Sequence, residues 1–435
     1  MDSPWVGVPG LKIRAVDGLE ERGFDDIMST PFFYPANPGD TLRLIDKAYK
    51  FNVATYAPII ENRFIYTYDY APDQSWTVYR NDLAGPNYRQ TDHVFDEKVY
   101  FRVCIRKASG EVFGGCEDIN DILVFKPGAK EQAIKPWIKD EVSKAAQRTA
   151  SYANKNTKTF AILTDTHVTV NGTWPDTMES LRQLHEHISF DGVIHLGDMT
   201  DGMVTRLATR HYASVVMNDI KALGSPFWMA LGNHDSNYFK KNTDVFTIDE
   251  QRELYLNGQM PHYCVDLCGL RLIFLDSFDS RDELRYGYSA DCIGWLDSAL
   301  ASMGKGSQAI IFSHLPPRAR LQYWSKTLRG EKELKDVTAK HIAKILAWIN
   351  GHNHADGIDT AEGMPIISIG PAKCESFIAH KPKHMLTPER TLDTATQELF
   401  DILTVDLENK SLKFARFGAG YDKEISDGKG CFVCH

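Results

Sequence analysis

The chain has 435 residues and a formal net charge of −9, and it is 43% hydrophobic and 25% charged. At roughly 150 residues per domain, this length predicts two or three domains, and the composition excludes a disordered or fibrous chain. The acidic balance argues against a nucleic-acid coat or an anionic-membrane surface, although a bound metal could still attract a phosphate-bearing substrate.

The sequence contains no evident signal for export or membrane insertion. No apolar run reaches the roughly 18–20 residues that span a bilayer. The segment from Met1 to Trp5 lacks the basic and apolar regions of a secretory signal. Eight cysteines are too dilute for a disulfide scaffold. We therefore expect no membrane insertion and a cytoplasmic location by default, with export left open.

Residues 1–125 are predicted to form an N-terminal, β-sandwich-like accessory domain. Residues 99–105 are a strand candidate, and the segment from Lys107 to Gly110 predicts a hairpin turn between Ile105 and Val112. Aromatic side chains also alternate along one predicted strand, at Phe64, Tyr66, Tyr68 and Tyr70. Such a row of aromatic residues could bind a sugar, but it belongs more often to a hydrophobic core.

The composition shifts over residues 126–158, which predicts a linker that could hold one short helix. Residues 159–435 are predicted to form the catalytic domain, because short apolar strands alternate there with segments of helical periodicity. Strands are expected at residues 159–164, 192–196, 226–231, 309–312, 347–350 and 365–369, and helices at residues 177–188, 206–223 and 337–346. Segments 263–278 and 399–417 predict hairpins. The fold class is therefore α/β with antiparallel edges.

Polar side chains follow five of the predicted strands, at the strand ends where α/β sheets place their ligand crevices. Seven of them are carboxylate, amide or imidazole groups: Asp165, His167, Asp198, Asn233, His314, His352 and His354. Such a set without thiolates suits Mn, Fe or Zn, and it is too large for one tetrahedral ion. It suits two ions that share a carboxylate, and Asp198 beside Gly197 is the natural candidate for that bridge.

The five motifs are D-x-H at Asp165, G-D-x-x-D at Gly197, G-N-H-D at Gly232, a lone His314, and G-H-x-H at Gly351. In this order they resemble the motifs of the calcineurin-like metallophosphoesterases over residues 159–420. The segment from Phe417 to Asp422 resembles little-characterised bacterial members. The resemblance implies a four-layer α/β/β/α fold, in which two mixed β-sheets lie between helices.

The resemblance also implies roles for individual residues. One divalent ion would be held by Asp165, His167, Asp198 and His354, and the other by Asp198, Asn233, His314 and His352. A hydroxide activated by both ions would attack the phosphorus. His234 would act as the general acid, and Asp201 would orient it.

Other side chains carry weaker signals. Arg318 and Arg320 follow His314 in a proline-rich loop and are candidates for binding substrate phosphate, although surface arginines are common. His195 lies within a strand and is predicted to be a core residue, and Asp235 is predicted to cap the following segment. The haem-attachment pattern C-x-x-C-H occurs at Cys431, Cys434 and His435. We expect this match to be accidental or to be an adventitious metal-binding tail.

We therefore predict a hydrolase that acts on small phosphomonoesters or phosphodiesters. A metal-dependent nuclease is one alternative, which the acidic charge disfavours. A non-catalytic binding protein on the same scaffold is another, which the complete ligand set and His234 disfavour. Substrate choice resides in loops without a readable code, so the sequence leaves the substrate and the oligomeric state open.

Overall fold

The computed structural model describes the chain as two compact units, one within residues 1–133 and one within residues 134–435. The described residues are 6–14, 20–31, 34–58, 77–79, 88–97, 99–115, 117–128, 134–168, 173–202, 205–238, 242–374, 385–426 and 428–433. Within these ranges, none of the helices is long and apolar enough to cross a bilayer.

The first unit is built from antiparallel strands. They are β1 (Val8–Ile13), β2 (Glu20–Ser29), β3 (Tyr34–Ala36), β4 (Thr41–Leu44), β5 (Tyr49–Pro58), β6 (Thr77–Tyr79), β7 (His93–Val94), β8 (Val99–Lys107) and β9 (Leu123–Lys126). One sheet has the order β1-β2-β8-β5-β6 with β3 paired to β8, and the other has the order β7-β4-β9. Phe101 of β8 stacks on Phe125 of β9 with ring centroids 5.7 Å apart, so the two sheets pack together there. The β-rich N-terminal region is confirmed.

The hairpin predicted around residues 107–110 is formed only in part. β8 ends at Lys107 and the chain turns directly after it, but residues 111–115 form no strand. The N–H of Phe113 donates to the carbonyl of Asp25 in β2, and Val112 is 58% exposed. An exposed side chain gives a second arm no core to pack against. The aromatic residues at positions 64–70 lie outside the described residues.

The second unit contains two mixed sheets. Its strands are β10 (Thr157–Leu163), β11 (Gly192–His195), β12 (Phe227–Met229), β13 (Tyr263–Leu267), β14 (Leu270–Leu275), β15 (Gln308–Ser313), β16 (Ile345–Asn350), β17 (Gly357–Ala361), β18 (Met364–Ser368), β19 (Leu399–Asp406), β20 (Ser411–Gly418), β21 (Asp422–Ser426) and β22 (Lys429–Val433). The sheet orders are β12-β11-β10-β19-β20-β21-β22 and β13-β14-β15-β16-β18-β17. β10 to β12 are mutually parallel, and so are β14, β15, β16 and β18.

The helices are α1 (Pro136–Tyr152), α2 (Trp174–His187), α3 (Arg206–Lys221), α4 (Ile248–Tyr255), α5 (Ala290–Ala301) and α6 (Glu331–Lys340). The alternation along β10 explains the layers, since successive side chains of a strand face opposite sides. Phe160 and Ile162 lie in the core between the sheets, whereas Ala161 and Leu163 face the core under α1, α2 and α3. Ile311 of β15 faces a third core under α5 and α6. The α/β/β/α order is confirmed.

The structure differs from the linker predicted over residues 126–158. Residues 136–152 form α1, whose first position is Pro136, where a missing N–H costs nothing. Its side chains Ile138, Val142 and Ala145 are at most 3% exposed and pack in the core under the first sheet. The Lys and Gln residues that suggested a linker belong to the polar side of an amphipathic helix.

The other elements follow the prediction more closely. The two hairpins form as β13–β14 and β19–β20. The helix predicted at residues 337–346 is wrong in its second half, because α6 ends at Lys340 and β16 begins at Ile345. The apolar residues at the start of β16 continue the helical spacing by chance, and a short buried strand cannot be told from a helix by periodicity alone. α4 and α5 are additional to the predicted elements.

Glu398, directly before β19, has a carboxyl group that is buried in the second unit. Thr177 Oγ1 donates to one of its oxygens at 2.6 Å and Gln397 Nε2 to the other at 2.9 Å. Burial, with a smaller contribution from Asp176, raises the pKa of Glu398 from 4.5 to about 7. Folding therefore favours the protonated form. The stability that this group contributes falls as the pH rises through this window and stays low above it.

We expect Glu398→Gln to raise the free energy of unfolding at about pH 8 by on the order of 2–3 kcal/mol. The amide can donate to Thr177, whose hydroxyl can in turn donate to the carbonyl of Thr173, 3.3 Å away. The gain should vanish at about pH 4, where the carboxyl group of Glu398 is largely protonated in both the folded and the unfolded protein. Urea unfolding at several pH values measures it, and a gain independent of pH would contradict the explanation.

Candidate metal centre

Seven polar side chains meet at the carboxyl ends of strands from both sheets of the second unit. Asp165 and His167 follow β10, Asp198 follows β11, Asn233 follows β12, His314 follows β15, and His352 and His354 follow β16. All of them are at most 6% exposed. The parallel pairing of strands thus brings side chains that are distant in the sequence to one place.

Five of these residues have a left-handed backbone, with φ of 50° at Asp165, 41° at His167, 55° at Asp198, 67° at His352 and 52° at His354. This conformation costs about 1 kcal/mol or more for a non-glycine residue, so the surrounding structure must impose it. Gly197 has a φ of 100°, and a Cβ there would lie 2.6 Å from the backbone nitrogen of Gly232. Strain of this kind concentrates at functional sites.

Asp165, His167 and His354 form one half of the site. Nε2 of His354 lies 3.2 Å from Oδ1 of Asp165 and 3.3 Å from Nε2 of His167. Oδ2 of Asp165 accepts hydrogen bonds from the hydroxyl of Thr164 at 2.6 Å and from the N–H of His352 at 3.1 Å. These bonds fix the carboxylate so that Oδ1 faces the two histidines.

Asp198, His314 and His352 form the other half. Nε2 of His314 lies 3.1 Å from Oδ2 of Asp198 and 3.2 Å from Nδ1 of His352. Nδ1 of His314 donates to the carbonyl of Leu196 at 2.9 Å, so Nε2 is the nitrogen left to bind a cation. Oδ1 of Asn233 is buried and makes no hydrogen bond within the described residues.

These donors fit two divalent ions. The imidazole nitrogens of His167 and His354, and those of His314 and His352, face each other at 3.3 and 3.2 Å. Metal–ligand bonds of about 2.1 Å place two donors of one ion roughly 3.0–3.4 Å apart. Oδ2 of Asp198 is also 3.8 Å from Nε2 of His167, so one carboxylate borders both halves.

The charges of the site are coupled. Burial disfavours the ionised form of Asp198, but His314 and His234 outweigh it and hold the pKa of this carboxyl well below its usual range. Burial likewise disfavours protonated His314, but Asp198 and Asp165 together raise its pKa to about 9. The pocket therefore keeps its carboxylates ionised and attracts positive charge, which a divalent ion can supply.

His234 lies beside Asp198, with its Nε2 3.8 Å from Oδ2 of that residue. The group that orients His234 in the structure is not the predicted carboxylate of Asp201. Nδ1 of His234 donates to the backbone carbonyl of Asp201, whereas Oδ1 of the Asp201 carboxylate lies 3.5 Å from Nδ1 of His167. Asp201 therefore contacts both histidines, but through different groups. A backbone carbonyl has no side-chain signature in the sequence.

Two buried residues hold the turns of the site from behind. His195 is a core residue, as predicted: its Nε2 lies 3.1 Å from the hydroxyl of Thr166, and its Nδ1 accepts from the N–H of Gly197 at 3.1 Å. The hydrogen-bond partners of Asp235 differ from those of the predicted cap of the following segment. Its carboxylate accepts three backbone N–H groups at 2.8–2.9 Å, from Asp198, Met199 and Gly232.

The two arginines predicted to bind phosphate have carboxylate partners in the structure. The guanidinium of Arg318 is buried and donates to Glu362 Oε2 at 2.7 and 3.1 Å, and also to Thr338 at 3.2 Å. Arg320 makes two hydrogen bonds to Asp359 of β17 at 2.9 and 3.0 Å. Each guanidinium thus has a carboxylate partner, although the side chains of Arg320 and Asp359 are 55% and 36% exposed. Binding of phosphate by these arginines stays a prediction.

A buried ion network lies next to the turn that carries His352 and His354, and sequence reasoning missed it. Arg416 donates to both oxygens of Asp356 at 2.7 Å and to both oxygens of Asp401 at 2.9 and 3.0 Å. Nζ of Lys423 lies 2.8 Å from Asp401. All four residues are at most 3% exposed. Charged residues inside the apolar strands β19 and β20 were the available signal.

Comparison with known proteins finds a family that is similar to part of the second unit. Residues 158–356 match the family described as calcineurin-like phosphoesterase. The comparison with curated proteins gives no match. A dimetal phosphatase from Danio rerio is similar in structure, with 17% identity, a TM-score of 0.46, and coverage of 62% of this chain and 98% of its own. GAP50, the anchor in the inner membrane complex of Plasmodium, has 16% identity, a TM-score of 0.40, and coverage of 64% and 88%. Residues 158–356 are thus similar to the calcineurin-like phosphoesterases.

Proposed function

We propose that this protein is a metal-dependent phosphoesterase that hydrolyses small phosphomonoesters or phosphodiesters. The observation that carries the proposal is the pair of buried Asp–His clusters that border the single carboxylate of Asp198. The family of residues 158–356 supports the same class of reaction. Nitrogen and oxygen donors without thiolates suit Mn, Fe or Zn as the two ions.

We assign three of the candidate ligands to each ion and one to both. Asp165, His167 and His354 would hold one ion, and Asn233, His314 and His352 the other, with Asp198 shared. When bound, such ions lower the pKa of a water molecule and neutralise the charge of a phosphate. The side chains contribute orientation, since the left-handed turns and the hydrogen bonds behind them fix each donor before a metal binds.

His234 would supply the proton that the departing oxygen needs. Its Nδ1 is engaged by the carbonyl of Asp201, so Nε2 is the nitrogen that can donate to a leaving group. Asp198, 3.8 Å away, attracts the proton to this nitrogen, while burial lowers the pKa of His234 and makes the proton easier to give up. A histidine balanced in this way is suited to general acid catalysis.

We expect His234→Ala to slow turnover by about 10²–10⁴-fold while both metal ions are retained, because His234 is outside the proposed ligand set. The loss should be smaller for esters with acidic leaving groups, which need little protonation. Steady-state kinetics with a series of aryl phosphates, together with metal analysis, measures both effects. Equal losses for good and poor leaving groups would instead indicate that His234 binds the phosphate.

One experiment tests the proposed function as a whole. The full-length protein loaded with Mn is assayed on chromogenic phosphomonoesters, on chromogenic phosphodiesters and on single-stranded DNA. Hydrolysis of the small esters alone supports the proposal. Preferential cleavage of DNA would support a nuclease instead, and metal binding without hydrolysis of any substrate would support a non-catalytic protein on this scaffold.

A further inference from the structure

Tyr286 lies beside the metal centre in the segment between β14 and α5. Its ring centroid is 5.6 Å from the imidazole of His352 and 5.4 Å from the ring of Phe278, with which it also forms an isolated β-bridge. Its backbone carbonyl accepts a hydrogen bond from the N–H of Arg329 at 2.9 Å. The phenol ring is therefore held next to a candidate ligand by contacts on more than one side.

The hydroxyl of Tyr286 makes no hydrogen bond to any residue that the structure describes. The neighbouring Tyr288 shows the ordinary arrangement, because its buried hydroxyl donates to the carbonyl of Leu315 at 2.7 Å. A buried phenol usually finds such a partner, whereas Tyr286 is only half-buried. The Tyr286 hydroxyl is thus available to a molecule bound at the metal centre.

A phenol hydroxyl is an uncharged hydrogen-bond donor near neutral pH. The ring of Tyr286 lies against His352, whose Nδ1 is 3.2 Å from Nε2 of His314, and that nitrogen is 3.1 Å from Oδ2 of Asp198. The phenol is thus close to the half of the site that contains the carboxylate shared by both ions. A neutral donor at this place can approach an anion without competing with the metal ions for the carboxylates.

A substrate phosphate can use such a donor. A phosphomonoester has three non-bridging oxygens, so one is left when two cations each bind one, and a hydrogen bond to a charged oxygen is stronger than one between neutral groups. Arg318 and Arg320, the expected donors, are paired with Glu362 and Asp359. We propose that the hydroxyl of Tyr286 donates a hydrogen bond to a non-bridging oxygen of the bound phosphate group. This proposal rests on the function proposed above.

The test measures binding of inorganic phosphate to the full-length, Mn-loaded protein by calorimetry. Tyr286→Phe keeps the ring contacts with His352 and Phe278 and removes only the hydroxyl. Phosphate should bind about 10- to 100-fold more weakly to this variant, the range for loss of one hydrogen bond to a charged group. Metal content and Tm should be unchanged, which separates a binding role from a structural one.

Tyr152→Phe is the matched control. Its hydroxyl donates at 2.9 Å to Asp422 of β21, and β19 and β20 lie between β21 and β10, the strand that leads into Asp165. This variant should bind phosphate like the unmodified protein.

Equal phosphate affinity of the unmodified protein and Tyr286→Phe would overturn the assignment, and so would an unmodified metal-loaded protein that binds no phosphate. Phosphate binding that depends on Tyr286 in a protein that hydrolyses no ester would support the assignment and refute only the proposed function. The two proposals can therefore fail separately.

Discussion

Asp198→Asn is expected to remove metal binding and hydrolysis together. The carboxylate lies 3.1 Å from Nε2 of His314 and 3.8 Å from Nε2 of His167, so neutralising this one group weakens both ion sites. Activity should fall by about 10³-fold or more, since two-ion catalysis contributes several kcal/mol to transition-state stabilisation. Elemental analysis of the purified protein should show that the ratio of metal to chain falls in parallel.

Asp359→Asn is the control for this change. It also neutralises one carboxylate of the same unit, but that carboxylate is half-exposed and pairs with Arg320. Metal content and turnover should then stay within about two-fold of the unmodified protein, as expected for a surface substitution. An Asp198→Asn variant with full metal content and full activity would refute the assignment of the site.

The second large effect is expected at the buried ion network. Arg416→Met should lower the free energy of unfolding by about 3–5 kcal/mol, because it leaves Asp356 and Asp401 buried without their main counter-charge. In the folded protein Arg416 and Lys423 overcome the effect of burial and hold the pKa of Asp356 at about 2. Without Arg416 that carboxyl can take up a proton as the pH falls, so the loss should be smaller at about pH 4 than at about pH 8.

Urea unfolding of the metal-free protein measures this loss without a contribution from bound ions. Arg320→Met is the matched control, because Arg320 also makes two hydrogen bonds to one carboxylate but on an exposed surface, where such pairs contribute about 0–1 kcal/mol. Equal losses in the two variants would contradict the argument that burial makes the Arg416 network costly to break.

The ligands of the candidate metal centre could be predicted from the sequence for a physical reason. Each follows an apolar strand, and carboxyl ends of parallel strands meet at one edge of a sheet, so a pattern of short local motifs carries information about a distant arrangement. The left-handed turns reinforce the pattern, because Gly197 can be recognised as a residue that the backbone geometry requires.

Features that depend on contacts between distant elements could not be predicted in the same way. The orientation of His234 uses a backbone carbonyl, which every residue possesses. The partners of Arg318 and Arg320 lie on or next to a strand some 40 residues further along the chain, at Glu362 and Asp359. The helix at residues 136–152 resembled a linker because its apolar stripe is narrow. Such pairings are decided by tertiary packing, for which a single sequence has no local signal.

The order of strands in the first sheet of the second unit has a consequence for biosynthesis. β10, which leads into Asp165 and His167, is hydrogen-bonded on one side by β11 and on the other by β19, the strand Leu399–Asp406. During synthesis from the amino end, all seven ligands have therefore been made while β10 still has an open edge. We expect a nascent chain that stops before residue 399 to expose this edge and to depend on chaperones, and the centre to take up its ions only late in synthesis.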